Sequence, residues 1–188
     1  MARWSADGAN RLQEAALELF VEQSFHEVSV AAIAGRAGLT ERTFFRHYAT
    51  KEDVLFADGP AILEAILDAV RSAPPKASPR LVIGAVGDRR GLLFETNRAY
   101  HRLRTEVIDA SPALQERDLL KHSAWADAIA AELIARRVPA DRAVALAASC
   151  TAVFRSVYRS WSTDRRKSSL ANRFQSTLTF LAQDLTHD

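Results

Sequence analysis

Cysteine is almost absent from this chain of 188 residues, in which Cys150 stands alone. One cysteine cannot form an internal disulfide or a cysteine-based zinc site. The 5 histidines also lack ligand-like spacing. We therefore expect no metal and no cofactor, and Cys150 is interpreted as a small buried hydrophobe.

Long apolar runs and a strong charge of one sign are also missing. No apolar run approaches the roughly 18 residues that span a bilayer, and the first five residues lack the apolar core of a secretory signal. We expect a soluble, cytoplasmic protein without a membrane partner. The 25 basic and 23 acidic side chains give a net charge of +2, which predicts no polyanion partner by itself.

Alternating strand patterns do not occur, whereas apolar residues recur at helical spacing almost throughout. Serine, threonine and proline mark several helix starts, among them Ser29, Thr40 and Ser78-Pro79. We predict an all-α fold with a head over residues 1–50 and a ligand-binding and dimerisation body over 51–188. The nine predicted helices span about 8–23, 30–37, 40–47, 51–71, 79 to Gly84–Gly87, 88–109, 112–137, 139–162 and 169–185.

The second and third predicted helices have the proportions of a helix-turn-helix motif, with Gly38 in the turn. The second helix of such a motif enters the DNA major groove. Phe44 of the third predicted helix and Tyr48 directly after it lie one turn apart and are predicted to face inward. Arg42 suits the edge of a guanine, whereas Arg46, His47 and Lys51 suit phosphates. By pattern alone, a solvated charged helix of a bundle is an equal alternative.

A longer pattern connects these residues to a known family. It consists of Arg11, Ala15-Ala16, Leu19-Phe20, Phe25, Ser29-Val30, Ile33-Ala34, Ala37-Gly38-Leu39-Thr40, Thr43 to Tyr48, Lys51-Glu52 and Val54-Leu55. This pattern resembles the DNA-binding domain of the tetracycline-repressor-like (TetR) family. In addition, the stretch from residue 102 to residue 125 is similar to the C-terminal domain of mycofactocin-type regulators of actinobacteria.

The resemblance implies a protein that binds double-stranded operator DNA. It implies base or phosphate contacts for Thr40, Thr43, Phe45, His47 and Lys51, and with Ser29, Glu41, Arg42 and Arg46 these complete the predicted DNA-binding set. Three positions depart from the family pattern. Ser24 and Arg42 stand where glycine is common, and Phe45 stands where a tyrosine usually donates its hydroxyl.

The last two predicted helices carry apolar residues on more than one face, so they need a second surface besides their own core. The resemblance implies a two-fold homodimer that buries this surface in a four-helix bundle. A monomer with a thick core is the alternative. The predicted interface consists of Leu146, Cys150, Val153, Val157, Phe174, Leu178 and Leu181.

Polar groups interrupt the inward face of the predicted 88–109 helix, and Arg155 falls within an apolar face of a later helix. We interpret them as the polar points of an apolar cavity for an unknown small molecule, anionic in one version of the hypothesis. Alternatively, Arg104 and Arg155 pair with Glu106, Asp109 or Asp127, or reach solvent at an edge of the fold. The predicted ligand-binding residues are Phe94, Asn97, Tyr100, His101, Arg104, Trp125, Phe154, Arg155 and Tyr158.

The sequence thus predicts a ligand-responsive regulator of transcription, most often a repressor in this family. An enzyme that uses the body's pocket is a competing hypothesis, with His101 and either Glu106 or Asp109 as its best acid–base pair. A DNA-binding architectural protein without an effector is a third.

Overall fold

The computed structural model describes residues 2–164 and 168–184. These residues form ten α-helices and one 3₁₀ turn, without any strand, so the predicted all-α fold is confirmed. The predicted end of the last helix at Leu185 lies outside the described residues. None of the helices described combines the length and the apolar character that crossing a membrane requires.

The helix boundaries follow the caps that the sequence provides. Ser29, Thr40 and Ser78 each accept a hydrogen bond from a backbone N–H three residues on, at the starts of the second, third and sixth helices. The helices are α1 (Ala2–Glu22), α2 (Val30–Arg36), α3 (Glu41–His47), α4 (Asp53–Phe56), α5 (Gly59–Arg71), α6 (Pro79–Phe94), α7 (Arg98–Asp109), α8 (Pro112–Ala135), α9 (Ala140–Thr163) and α10 (Leu170–Asp184), with the 3₁₀ turn at Glu95–Asn97.

The three glycines of α6 are sites of close helix packing. A Cβ atom at Gly87 would lie 1.9 Å from a ring carbon of Phe174, and one at Gly91 would lie 2.7 Å from the Cβ of Ala171. At Gly84, the carbonyl oxygen accepts a hydrogen bond from the Gln175 side chain at 3.0 Å. The prediction that this helix ends near Gly84–Gly87 is therefore wrong, because the glycines admit α10 against a continuous α6.

The predicted 88–109 helix is also wrong, because the 3₁₀ turn at Glu95–Asn97 separates α6 from α7. The Glu95 carboxylate accepts hydrogen bonds from the backbone N–H groups of Leu170, at 2.5 Å, and Ala171, at 3.2 Å. It thereby caps the start of α10. The Asn97 side chain accepts from the backbone N–H of Tyr100 at 3.1 Å and starts α7.

The predicted 51–71 helix is divided as well. Helix α4 ends at Phe56 and α5 begins at Gly59, followed directly by Pro60. Proline lacks a backbone N–H and disfavours the helical conformation in the residue before it, so it belongs in the first turn of a new helix.

The chain divides into two compact units. Unit 1 comprises residues 1–59 and 103–115, and unit 2 comprises residues 60–102 and 116–188. The core of unit 1 includes Leu12, Ala16, Ile33 and Phe44, which are fully buried. The core of unit 2 is built from α5, α6, α8, α9 and α10. Helix α7 begins in unit 2 and ends in unit 1. The domain boundary drawn at residue 50 stays a prediction.

We predict that Gly87→Ala lowers the free energy of unfolding by about 1–3 kcal/mol, because the added methyl group overpacks a contact that Phe174 already fills. Urea denaturation measures the change. Gly35→Ala is the matched control, since no atom lies within 4 Å of its added Cβ and alanine favours a helix interior. Equal stability of Gly87→Ala and the wild-type protein would contradict the packing role of the glycine.

Candidate nucleic-acid interface and ligand site

The turn between α2 and α3 is fixed at both ends. Thr40 begins α3 by accepting a hydrogen bond from the backbone N–H of Thr43 at 3.2 Å. Gly38 has a φ of +64°, a conformation that residues with a side chain rarely adopt. The Arg11 guanidinium donates to the carbonyl of Ala37 and lies 2.7 Å from where a Cβ of Gly38 would be. The turn therefore requires glycine for its conformation, whereas a Cβ at this position would only displace the flexible end of Arg11.

Helix α3 has one buried face and one exposed face, as predicted. Phe44 is fully buried, and Tyr48, 7% exposed, packs on it with ring centroids 5.6 Å apart. The Tyr48 hydroxyl donates to the carbonyl of Ala9 at 3.3 Å. Burial, and secondarily the Asp58 charge, raises the pKa of Tyr48 to about 12. Tyr48 therefore keeps its proton and its hydrogen bond at neutral pH.

The opposite face of α3 is open to solvent. The residues exposed on it are Thr40, Glu41, Arg42, Phe45 and Arg46, and Thr43 is half-buried between them. The Phe45 ring is 55% exposed. Ser29, at the start of α2, is exposed as well. This surface combines basic, hydroxyl and apolar groups, which is what contacts with phosphates, base edges and sugars require.

Arg36 belongs to the basic cluster of residues 36–51, but acidic residues of α1 compensate its charge. Its guanidinium forms salt bridges with Glu22 at 2.7 Å and with Glu18 at 3.3 Å. The hydrogen bond with Glu22 raises the pKa of Arg36 above its ordinary value. Both partners are largely exposed, so the pairs stabilise the fold little.

Lys51, for which the sequence predicts a phosphate contact, has hydrogen-bond partners within the chain. Its ammonium donates to the carbonyl oxygens of Phe25 at 2.7 Å and Val28 at 3.0 Å. It also lies 4.4 Å from the centroid of the Phe25 ring. These contacts satisfy carbonyl groups in the segment between α1 and α2. The ammonium thus holds this segment in place, and its contact with a phosphate stays a prediction.

His47, whose predicted phosphate contact stays a prediction, is half-buried. Its Nε2 atom is buried and has no hydrogen-bond partner among the described residues. This atom lies 3.6 Å from where a Cβ of Gly8 would be. Because Nε2 faces α1, it is not available to a phosphate. Arg42 and Arg46 are the basic side chains of the predicted DNA-binding set that the structure leaves exposed.

Unit 2 gathers several of the predicted ligand-binding residues into one aromatic cluster. The Phe94 ring centroid lies 4.8 Å from that of His101 and 5.2 Å from that of Tyr158. Nδ1 of His101 and the Tyr158 hydroxyl are 3.1 Å apart and share a hydrogen bond. Phe154 stacks on Tyr158 with centroids 6.3 Å apart. The aromatic part of the predicted site is therefore assembled within this unit.

The structure places other predicted ligand-binding residues elsewhere. Arg104 lies in unit 1, where its Nε donates to the carbonyl of Leu55 at 2.8 Å and its guanidinium stacks on Phe56. Asn97 is exposed and caps α7. Both side chains bind backbone groups at helix ends, and their assignment to the ligand site stays a prediction. Tyr100 and Arg155 are half-buried, and their roles stay predictions.

Sequence reasoning missed Arg90, which is fully buried in unit 2. Its guanidinium carbon lies 3.8 Å from the Phe154 centroid and 5.2 Å from the centroid of Trp125, another predicted ligand-binding residue. The signal was present, because Ile83, Val86, Arg90 and Phe94 recur at helical spacing along α6. Ending the helix at the glycines hid this face.

Several residues of the predicted dimer interface are already covered by the chain's own core. Cys150, Val157 and Phe174 are at most 8% exposed and belong to the core of unit 2, so they offer little surface to a second copy. Burial raises the pKa of Cys150 to about 11, which makes it a poor nucleophile. The remaining four residues are partly covered or exposed, and Leu181 is 38% exposed. Their role in a dimer stays a prediction.

The helix-turn-helix and the exposed face of α3 define a DNA-binding regulator. Two family descriptions match the chain: "Bacterial regulatory proteins, tetR family" over residues 12–57 and "MftR C-terminal domain" over residues 85–186. The HTH-type transcriptional regulator TcmR of Streptomyces glaucescens is 32% identical over 194 residues, covering 95% of this chain and 84% of TcmR. MftR of Mycobacterium tuberculosis is 32% identical over 131 residues, covering 68% of this chain and 64% of MftR.

Solved structures show the same fold. A TetR-family regulator of Syntrophomonas wolfei superposes with a TM-score of 0.70 at 13% identity, covering 97% of this chain and 96% of the other. Thermus thermophilus FadR, a TetR-family repressor solved in complex with lauroyl-CoA, superposes with a TM-score of 0.58 at 22% identity, covering 96% of both chains. The chain belongs to the TetR family of transcriptional regulators, and it is not an enzyme.

We predict that Lys51→Ala lowers the free energy of unfolding by about 1.5–3 kcal/mol, because it leaves two backbone carbonyls without their charged donor. Chemical denaturation followed by circular dichroism measures this. Lys76→Ala is the matched control, since Lys76 is an exposed loop lysine. A Lys51→Ala protein of unchanged stability with weaker binding to random DNA would instead support the phosphate contact.

Proposed function

We propose that the chain is a homodimeric, sequence-specific repressor that binds operator DNA through α3 and is released from it by a small molecule. The observation that carries the proposal is the division of α3 into a face anchored by Phe44 and Tyr48 and an exposed face with Arg42, Phe45 and Arg46. The anchored face holds the helix rigidly, and a rigid exposed face allows base edges to be discriminated.

Each exposed residue of α3 suits a particular part of the duplex. The Arg42 guanidinium matches the two acceptors of guanine, and the Glu41 carboxylate accepts from cytosine. Arg46 and the Thr40 hydroxyl suit phosphates. The Phe45 ring has no hydroxyl to donate, but it packs against a sugar or a thymine methyl group. These roles separate recognition of sequence from attachment to the backbone.

A homodimer would place two copies of α3 in successive major grooves of a two-fold symmetric site. Helices α9 and α10 pack against each other and carry large apolar side chains that the monomer leaves in solvent, including Val144 at 55% exposure and Phe180 at 60%. Covering these side chains with a second copy removes apolar surface from water. This supports α9 and α10 as the dimerisation helices.

The ligand response has a physical route along α7. In unit 2 this helix carries His101, which hydrogen-bonds Tyr158 in the aromatic cluster. One turn later, in unit 1, it carries Arg104, which binds the Leu55 carbonyl in α4. A ligand that displaces His101 would move Arg104 with the same helix and shift α4, which follows the recognition helix in the chain. Release from DNA requires a ligand that binds the shifted state more tightly.

A neighbour of the same fold supports a body that takes up a small molecule, since Thermus thermophilus FadR was solved with lauroyl-CoA. The aromatic cluster of Phe94, His101, Phe154 and Tyr158 provides apolar walls with a few polar atoms, which is the usual composition of a ligand site.

The test compares the DNA binding of two single-arginine variants. We predict that Arg42→Ala weakens binding to a duplex from the region upstream of the protein's own gene by about 1–3 kcal/mol, with little change for random DNA of equal length. Arg36→Ala is the matched control, because it removes the same charge from a side chain already paired with Glu22 and Glu18. Fluorescence anisotropy at several salt concentrations measures both.

Equal losses of Arg42→Ala on the upstream and random duplexes would contradict the role of Arg42 in reading bases. Equal, weak binding of the wild-type protein to both duplexes would contradict the proposed function.

A further inference from the structure

The core of unit 2 contains a cation for which the described residues provide no hydrogen-bond acceptor. Arg90 of α6 is fully buried, and none of its three guanidinium nitrogens has a hydrogen-bond partner among the described residues. Buried arginines are normally paired, because removing a charge from water without compensation is costly. Within the described residues, Arg90 therefore lacks the hydrogen-bonded anionic or polar partner that such a side chain normally has.

The aromatic rings around Arg90 do not supply that group. The guanidinium lies 3.8 Å from the centroid of Phe154 and 5.2 Å from that of Trp125. Ring faces attract the flat face of a guanidinium. The N–H donors, however, point outward in the guanidinium plane, where they need oxygen or nitrogen acceptors. The cation–π contacts hold Arg90 in place and leave its donors unsatisfied.

Asp118 is the carboxylate whose charge acts on Arg90, but its oxygen atoms contact other side chains. Asp118 accepts a hydrogen bond from Lys121 at 2.6 Å and lies 3.5 Å from Nε2 of His122. Its charge acts on Arg90, but burial dominates and lowers the pKa of Arg90 to about 10. Arg90 is thus still protonated at neutral pH, and its charge is not neutralised by a hydrogen-bonded carboxylate in the part of the chain that is described.

Two further buried polar atoms lie on the neighbouring helices without a partner in the described structure. They are the Thr151 hydroxyl on α9, one turn before Phe154, and Nδ1 of His122 on α8. The His122 ring packs edge-on against Trp125 with centroids 5.5 Å apart. Burial lowers the pKa of His122 to about 4, and the Arg90 charge acts in the same direction, so the two groups lie within electrostatic range.

We infer that Arg90 is the anchor of an anion site, in which a carboxylate on an apolar organic molecule accepts hydrogen bonds from the guanidinium and from the Thr151 hydroxyl. A guanidinium fork matches the two oxygens of a carboxylate. Phe154 and Trp125 would bind the apolar part of the same molecule. The inference rests on the proposed function in one respect, namely that this molecule is the effector.

The first test uses thermal unfolding with 2-naphthoate and its uncharged analogue 2-naphthamide as probes. We expect 2-naphthoate to stabilise the wild-type protein with an apparent affinity about tenfold or more above that of 2-naphthamide, because only the acid pairs with Arg90. Arg90→Met is expected to lose this preference. Arg89→Met, which removes the same charge from an exposed neighbour on α6, is expected to keep it.

A second readout needs no ligand. Because Arg90 is a buried charge without a hydrogen-bonded counter-charge, Arg90→Met should raise the melting temperature of the ligand-free protein. Arg90→Lys retains the charge without the fork and should bind 2-naphthoate more weakly than the wild-type protein does. If the acid and the amide stabilise the wild-type protein equally, or if Arg90→Met keeps the preference for the acid, the inference is overturned. A lower melting temperature of ligand-free Arg90→Met would also overturn it, since it would show that the charge is compensated internally.

Comparing the binding of upstream and random DNA distinguishes failure of this inference from failure of the proposed function. Binding of 2-naphthoate by a protein that shows no preference for its upstream DNA would support the anion site and contradict the regulator's mode of action. Selective DNA binding without any discrimination between acid and amide would support the proposed function and contradict the anion site.

Discussion

The close approach of α6 and α10 is the constraint on which the body of the protein depends. Gly87 lies against the Phe174 ring and Gly91 against Ala171, so α6 contributes no side chain at these two contacts. Helix α6 is therefore covered on this side by α10, and the adjacent face of the helix carries Ile83, Val86 and Arg90 into the interior of unit 2. A helix covered on two sides fixes the backbone position of Arg90 and keeps its charge away from water. The close packing at the glycines and the burial of Arg90 therefore both follow from the position of α6.

In unit 1, too, the position of each basic side chain decides what it can contact. Several of its basic side chains complete the fold: Arg11 binds the Ala37 carbonyl, Arg36 pairs with α1, and Lys51 holds the segment before α2. What remains exposed on α3 is a pair of arginines, Arg42 and Arg46, beside the exposed ring of Phe45. A count of basic residues in this segment therefore overstates the charge available to DNA. The positions of the two exposed arginines on one face matter more than the net charge.

Local signals in the sequence predicted the local structure well. The caps at Ser29, Thr40 and Ser78, and the inward orientation of Phe44 and Tyr48, depend on residues within one turn of each other. The structural features that the sequence did not predict depend on partners that are distant in the chain. A glycine within a helix predicts the end of that helix unless the facing helix is known. Lys51 and Arg104 bind carbonyl groups that lie 26 and 49 residues away in the chain. Backbone acceptors carry no sequence signature, so such assignments require the fold.

Selection of DNA by the purified protein from a pool of random duplexes tests the central claim most directly, because it presumes no operator. The account predicts enrichment of a two-fold symmetric sequence whose half-sites lie about one helical turn apart, centre to centre, since two copies of α3 would read successive major grooves. A pool that stays random after repeated selection, or an enriched motif without symmetry, would contradict a homodimeric regulator that reads DNA through α3.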